Sequence, residues 1–405
     1  MSLDDLQLSR PDVVVRPPRA EAQPSPAPLR VALFTGNYNY TRDGATQALH
    51  RLVQHLDALP GAAVRIYAPT SRRPAFDADR PVASAPSVRI PGRAEYRLSL
   101  GLTPALREDL RRFGPDVVHL ATPDLLNIQA LKLARELGAP VVSSLHTRFE
   151  TYFGYYGLGW LKPWAERRLR TFYQNCDYVL APTADIAAQL EADGLRGRVR
   201  VWSRGVERAL FDPGRRDLGW RRAQGFADDD LVVAFFGRVV LEKGLAPFAD
   251  AMDLAAAANP RVRALVIGDG PARPWMAKRL PGATFTGFLS GVDLGRAVAS
   301  ADVLLNPSTT EAFGNVTLEA MAAGLAVVCA AAPSHRALVR DGRTGLLCAP
   351  TDAEAYAAAI LGLAAKPEKR LLMGWAARDA SAAYGWNAAL DSVVAVYREA
   401  IAAAA

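Results

Sequence analysis

The sequence predicts an α/β protein of two Rossmann-like domains that face a central cleft. Three observations carry this. Short apolar runs rich in Val, Leu, Ile and Phe alternate with helix-period segments along nearly the whole chain, the pattern of parallel strands joined by crossover helices. The alternation divides into two halves of similar size, separated by a polar crossover near residues 203–213. Glycine-containing or charged loops follow the apolar runs, which is where open parallel sheets bind ligands. At 405 residues, 50% hydrophobic and 22% charged, either half has enough apolar surface for a core of its own.

Residues 1–28 hold Pro11, Pro17, Pro18, Pro24, Pro26 and Pro28 among mixed charges and are expected to be a disordered leader. Residues 29–35 then read as a buried strand that ends in a loop from Gly36 to Gly44. The helix behind it carries Ala45, Ala48, Leu49, Leu52, Val53 and Leu56 on one face. Strand, glycine-containing loop and helix resemble a phosphate-binding turn, but G-x-G-x-x-G is absent. The loop is therefore either a tight turn or a substrate-binding loop.

Further strands are expected at 64–68, 116–120, 141–145, 177–181 and 199–202, with a helix near 124–138. His119 lies inside its strand run, whereas His146 follows the end of its own, so His146 is the functional candidate. Residues 148–173 concentrate aromatics with Arg and Lys. They form either a core helix (164–175) after a packed loop, or a surface that touches a membrane interface or a lipid-linked acceptor. Residues 29–205 make the first domain.

The second domain, 206–383, is expected to place strands at 231–236, 264–270, 283–288, 302–305, 325–330 and 345–348. The tail, 384–405, contains an amphipathic helix (388–402) expected to pack back towards the first domain. At 306–330 an apolar run ends in a loop, Gly314 and Asn315 start a helix, and another apolar strand follows Gly324. Free N–H groups and the helix dipole at such a start suit an anionic ligand. Glu311 and Glu319 flank it and can hold hydroxyl groups beside that anion. Arg238 and Lys243 sit in the loop after the 231–236 strand, at the same sheet edge, and two fixed cations there would hold a diphosphate.

Four motifs together resemble the retaining glycosyltransferases of family 4, which have the GT-B fold. They are G-R-x(4)-K-G (237–244), G-D-G-P (268–271), N-P-S-x-x-E-x-F-G-x-x-x-x-E-A-M-A-x-G (306–324) and S-R-G-V (203–206). The resemblance spans essentially 29–400 and is more specific in the second half. Within the family, L-H-T-R-F-E-T-Y (145–152) and S-R-G-V most resemble GDP-mannose-dependent α-mannosyltransferases and the sulfoquinovosyl-, glucosyl- and glucuronosyl-lipid synthases. Glu207 stands where those relatives usually carry Asp, and Gly44-Ala45 where a Gly-Gly pair is common.

The resemblance implies a hexose transferred from a nucleotide-sugar donor (GDP-mannose, or a UDP-hexose or UDP-hexuronate) to a hydroxyl acceptor, a membrane lipid or lipid-linked glycan. Arg238 and Lys243 would neutralise the diphosphate, helped by the amides of Gly314, Asn315 and Val316, so no cofactor and no metal is expected. Glu319 would bind the ribose hydroxyls, Glu311 the sugar hydroxyls, and His146 the sugar from the first domain. Gly268, Asp269, Phe288, Phe313, Gly36 and Gly44 complete the expected donor side. A sugar-nucleotide epimerase of similar fold, acting without an acceptor, is the alternative.

The net charge of +7 fits an anionic membrane surface or an Arg-rich composition; no zinc-finger pattern or basic tail asks for nucleic acid. Three scattered cysteines, Cys176, Cys329 and Cys348, make no disulfide or zinc framework and suit a reducing compartment. The acidic N-terminus lacks a secretory h-region, and no run reaches the roughly 18 apolar residues of a membrane span. The expected location is cytoplasmic, peripheral on the inner face of the cell membrane.

Overall fold

The computed structural model describes residues 28–405 except 41–42, 72–73, 77, 79, 91–92 and 147–158. The leader expected at 1–28 therefore lies almost wholly outside the described residues, as does the start of the aromatic-basic stretch.

Seven parallel strands form the first sheet, in the order β3-β2-β1-β6-β7-β8-β9. They are β1 (Leu29–Phe34), β2 (Ala62–Pro69), β3 (Val82–Ala85), β6 (Val117–Leu120), β7 (Val141–Ser144), β8 (Tyr178–Ala181) and β9 (Val199–Val201). A small antiparallel hairpin, β4 (Ser87–Ile90) with β5 (Arg93–Ser99), follows β3. The helices of this half are α1 (Gly44–Ala58), α2 (Pro104–Phe113), α3 (Leu125–Glu136), α4 (Lys162–Gln174) and α5 (Ala184–Leu190). Strand side chains alternate between two apolar layers. Along β1, Ala32 and Phe34 join the layer that includes residues of α2, α3 and α5. Leu29, Val31 and Leu33 join the layer that includes residues of α1.

The second sheet is also parallel, ordered β12-β11-β10-β13-β14-β15. Its strands are β10 (Leu231–Phe236), β11 (Val262–Ile267), β12 (Thr284–Gly287), β13 (Val303–Asn306), β14 (Ala326–Ala330) and β15 (Leu346–Cys348). Around it lie α6 (Leu218–Ala223), α7 (Leu245–Ala258), α8 (Arg273–Arg279), α9 (Gly291–Ala299), α10 (Asn315–Ala322), α11 (Pro333–Leu338), α12 (Ala353–Ala364) and α13 (Pro367–Ser381). The same alternation operates here. Val233 and Phe235 pack with α7 and α12, while Val232 and Ala234 pack with α9 and α10. Two doubly covered parallel sheets make the fold two Rossmann-like halves.

The chain crosses between the halves twice, side by side. Val206 N–H donates to the Tyr384 carbonyl at 3.1 Å. A Cβ on Gly205 would run into the backbone of Trp386, so only glycine fits there. The last helix, α14 (Trp386–Ala404), then lies on the first sheet, with Leu390, Val393 and Tyr397 buried among Leu33, Leu52 and Trp202. Among the described residues no helix is long and apolar enough to cross a membrane.

Candidate active site

The carboxyl ends of the two sheets border one cleft of about 1100 Å³. Its second-domain wall starts where β10 runs out into Gly237 and Arg238. A single tight turn, Leu241–Lys243, brings Lys243 to the cleft, and Gly244 in a left-handed conformation starts α7. The loop after β11 must pass close by: Gly268 has φ 137°, and a Cβ there would strike the Gly237 carbonyl. These two glycines let the two loops touch beneath the cleft.

The loop after β13 is held from both ends. Asn306 Nδ2 donates to Thr317 Oγ1 at 3.0 Å, tying the strand end to α10. Thr310 Oγ1 donates to the Glu242 carbonyl at 2.9 Å, tying the loop to the Lys243 turn. Gly314, with φ 96°, then starts α10 without a side-chain cap. The first amides of α10 therefore have no partner within the helix and open towards the cleft, which Gly314, Asn315 and Val316 line.

Lys243 Nζ donates to Glu311 Oε1 at 3.1 Å, with the Glu311 side chain only 8% exposed. Burial opposes ionisation of Glu311, but Lys243 and then His335 outweigh it and hold its pKa below the ordinary value. For Glu319, about one turn into α10, no cation pairs among the described residues. Burial first, then the Glu311 charge, push its carboxyl up to about 8. The two carboxyl groups thus have opposite protonation preferences, set by one lysine.

Most of the residues singled out from sequence meet at this cleft. His146, Arg238, Lys243, Glu311, Gly44, Gly268, Asp269, Phe288, Phe313, Gly314, Asn315, Val316 and Glu319 all line it. Gly36 does not. Its amide donates to Thr122 Oγ1 at 2.8 Å and a Cβ would meet the Asp124 carboxylate, so this glycine makes room for the neighbouring loop instead. Phe313 reaches the cleft only by an edge; it is 6% exposed and packs against Tyr384 with ring centroids 6.0 Å apart. Gly44, at the start of α1, abuts the Asn315 side chain at the start of α10, so two helix N-termini meet across the cleft.

His146 differs most from expectation. It lines the cleft, yet both ring nitrogens have protein partners: Nδ1 accepts from Arg204 Nη2 at 2.9 Å, and Nε2 lies 2.7 Å from Ser144 Oγ. Burial, then Arg204 and His119, keep its pKa well below the usual histidine value. The ring is a fixed neutral wall, not a loose donor aimed at a sugar.

Two participants were missed. Arg204 lines the cleft from the first crossing. His335, on α11, donates from Nδ1 to the Ala330 carbonyl at 3.0 Å and leaves Nε2 buried without a partner among the described residues. Its ring stands behind Gly314. Position just past the end of β14 was the signal for it, the same rule that selected His146. Among the described residues no three His, Cys, Asp or Glu side chains gather as a metal site.

Comparison with known proteins fits this geometry. Residues 42–210 match the family model Glycosyltransferase Family 4, and residues 230–366 match Glycosyl transferases group 1. The chain is 34% identical to a GDP-mannose-dependent alpha-mannosyltransferase of Mycolicibacterium smegmatis, over 91% of this chain and 97% of that protein. It is 34% identical to the sulfoquinovosyl transferase SQD2 of Arabidopsis thaliana, over 73% of this chain but only 59% of that longer protein. Among solved structures, Anabaena HepE in complex with UDP and glucose superposes with a TM-score of 0.71 at 20% identity, over 91% of this chain and 99% of that one. Sucrose-phosphate synthase from Thermosynechococcus elongatus gives 0.73 at 22%, over 93% and 100%; both likenesses show the fold. The matches are to transferases, and a sugar-nucleotide epimerase is not favoured. The chain belongs to glycosyltransferase family 4 and has the two-domain GT-B architecture.

Proposed function

We propose that the protein moves a hexose, with retention of anomeric configuration, from a nucleotide sugar to a hydroxyl of a membrane lipid or lipid-linked glycan. The observation that carries this is the pairing of a cationic edge with a two-carboxylate helix start. Lys243, Arg238 and the α10 amides face the same cleft as Glu311 and Glu319. Fixed donors of this kind stabilise the charge of a departing nucleoside diphosphate without reorganising, so the reaction needs no metal. Glu319 holds the ribose hydroxyls and Glu311 the sugar hydroxyls. His146 closes the wall beside the sugar.

The acceptor hydroxyl attacks the anomeric carbon from the face that the diphosphate leaves. A C–O bond forms as the bond to phosphate breaks, and the hydroxyl proton passes to the departing phosphate oxygen. Donor candidates are GDP-mannose, by the name of the mycolicibacterial relative, and a UDP-hexose, by the UDP and glucose of the HepE complex; a UDP-hexuronate is a third candidate. The name of a further relative, an alpha-monoglucosyldiacylglycerol synthase of Acholeplasma laidlawii, supports a lipid acceptor. So do Trp160 and Trp164, 75% and 59% exposed beside the exposed Lys162, Arg167 and Arg168, as a contact with an anionic membrane on the cytoplasmic side.

The test is a thermal-shift panel of UDP, GDP and their sugars, followed by NMR of the product. A specific donor stabilises by RT ln(1 + [L]/Kd), about 2.7 kcal/mol at a hundredfold excess over Kd. Retention of the donor's anomeric configuration is expected; an inverted product refutes the mechanism, and no shift with any nucleotide refutes the donor site.

A further inference from the structure

Arg204 has no part in the roles assigned above. It lies in the first crossing between the domains, is 3% exposed, and lines the cleft beside His146. Its guanidinium lies over the Trp202 ring, 4.7 Å from the centroid. Nη1 donates to the carbonyls of Trp202 at 2.8 Å and Ser203 at 3.2 Å, and Nη2 to His146 Nδ1 at 2.9 Å. These contacts fix the orientation of the group but bring it no negative charge. Among the described residues Arg204 forms no ion pair, and burial alone pushes its pKa down to about 10. The other deeply buried arginine among the described residues, Arg221, is treated differently: its Nη1 donates to the Asp302 carboxylate at 3.0 Å.

Among the described residues the surroundings supply no counter-charge. A guanidinium only donates, so His146 Nδ1 must accept and Nε2 carries the proton. Nε2–H then donates to Ser144 Oγ at 2.7 Å, and Ser144 Oγ–H to His119 Nε2 at 2.7 Å. His119 Nδ1–H ends the chain on Tyr397 Oη at 2.5 Å. His119, Ser144 and Tyr397 are all buried, and burial holds His119 neutral, down to about 3. The polarity of the chain is set from Arg204 and ends on α14 without meeting a carboxylate. A buried cation is costly unless an anion completes it. Here the open side of the group is the substrate cleft.

The geometry points to Arg204 as an oxyanion-binding residue of the cleft, which takes a carboxylate, sulfonate or phosphate that a substrate carries in addition to the donor diphosphate. This rests on the reading of the cleft as a nucleotide-sugar site. The diphosphate already has Arg238, Lys243 and the α10 amides on the second-domain wall, whereas Arg204 stands on the opposite side with His146. A rigid guanidinium matches the planar or tetrahedral oxygens of such a group in a way a lysine does not. The anion is on the donor sugar or on the acceptor head group.

Binding measured by calorimetry on the full chain separates these sources. One arm compares UDP-glucose with UDP-glucuronate, and GDP-mannose with GDP-mannuronate. The other compares glycerol with glycerol 1-phosphate, in the presence of UDP or GDP. In one arm the wild type is expected to bind the anionic member about tenfold tighter or more, the size of a charge-assisted pair. Arg204→Gln should bring that ratio near one, and Arg204→Lys should retain part of it. The arm that responds identifies the source.

A wild-type ratio near one in both arms overturns the proposal, and this comparison needs no variant to fold. A ratio unchanged in Arg204→Gln also overturns it. So does a variant that loses UDP or GDP affinity while keeping the ratio, since Arg204 would then belong to the diphosphate. If neither UDP nor GDP competes with any of the sugars in the wild type, it is the donor-site reading that fails, and that result is visible separately.

Discussion

Glu319 makes stability depend on pH in a direction opposite to most carboxylates. Its pKa is raised from the ordinary 4.5 to about 8 by burial and then by Glu311. A carboxyl whose pKa rises on folding binds its proton more tightly in the native state. Its stabilisation is fully present below pH 4.5, falls as pH rises, and is lost above about 8. At about 1.4 kcal/mol per pH unit the upper limit is about 5 kcal/mol. Glu319 opens partly onto the cleft, so solvent screening reduces this to roughly 2 kcal/mol. For domains of this size that is roughly 4–8 °C in Tm. Glu319→Gln keeps the shape and removes the titration. Thermal unfolding from pH 5 to 9 without ligand should show the variant gaining on the wild type by that amount as pH rises. Glu311→Gln should move the wild-type midpoint downward, because it removes the neighbouring charge. Parallel curves for wild type and Glu319→Gln across the range would refute the assignment.

Lys243→Ala should lower kcat by about 10²–10³, the cost of losing one fixed charge at a developing anion, while Glu319→Ala should chiefly raise the donor KM. Steady-state kinetics with the donor found by thermal shift decides this, and wild-type values for both variants would place the donor elsewhere. Gly268→Ala combines a φ of 137° with a Cβ driven into the Gly237 carbonyl. It should lose about 2 kcal/mol or more in urea unfolding, and an unchanged midpoint contradicts the packing of the two loops. A Trp160→Ala/Trp164→Ala variant should stop sedimenting with anionic liposomes that bring down the wild type; undiminished sedimentation removes that surface from the membrane proposal.

Strand and helix alternation made most of both sheets readable in advance, because buried parallel strands are continuous apolar runs such as 231–236. The β4–β5 hairpin was not readable. Its strands are short and rich in Ser and Arg, and they alternate poorly. The helix start at Gly314 was legible from one glycine and one asparagine after an apolar run. What Glu311 and Glu319 each do with a proton was not, because that depends on Lys243, 68 residues away from Glu311. The partners of His146 were equally hidden. Arg204 is 58 residues distant, and only the fold places the first crossing beside the residue that follows β7. Gly36 was misjudged because a glycine in a loop looks alike whether it faces a ligand or a neighbouring side chain.

The two adjacent crossings have a consequence for exchanging parts between relatives. The last helix completes the core of the first half, and its Tyr397 ends the polar chain that begins at Arg204. A chimaera that takes only residues up to the first crossing from another transferase would seat a foreign sheet on an unmatched α14. The unit that can be exchanged is discontinuous. The first half has to travel with its C-terminal helix, and the second half is then a contiguous cassette inserted between them.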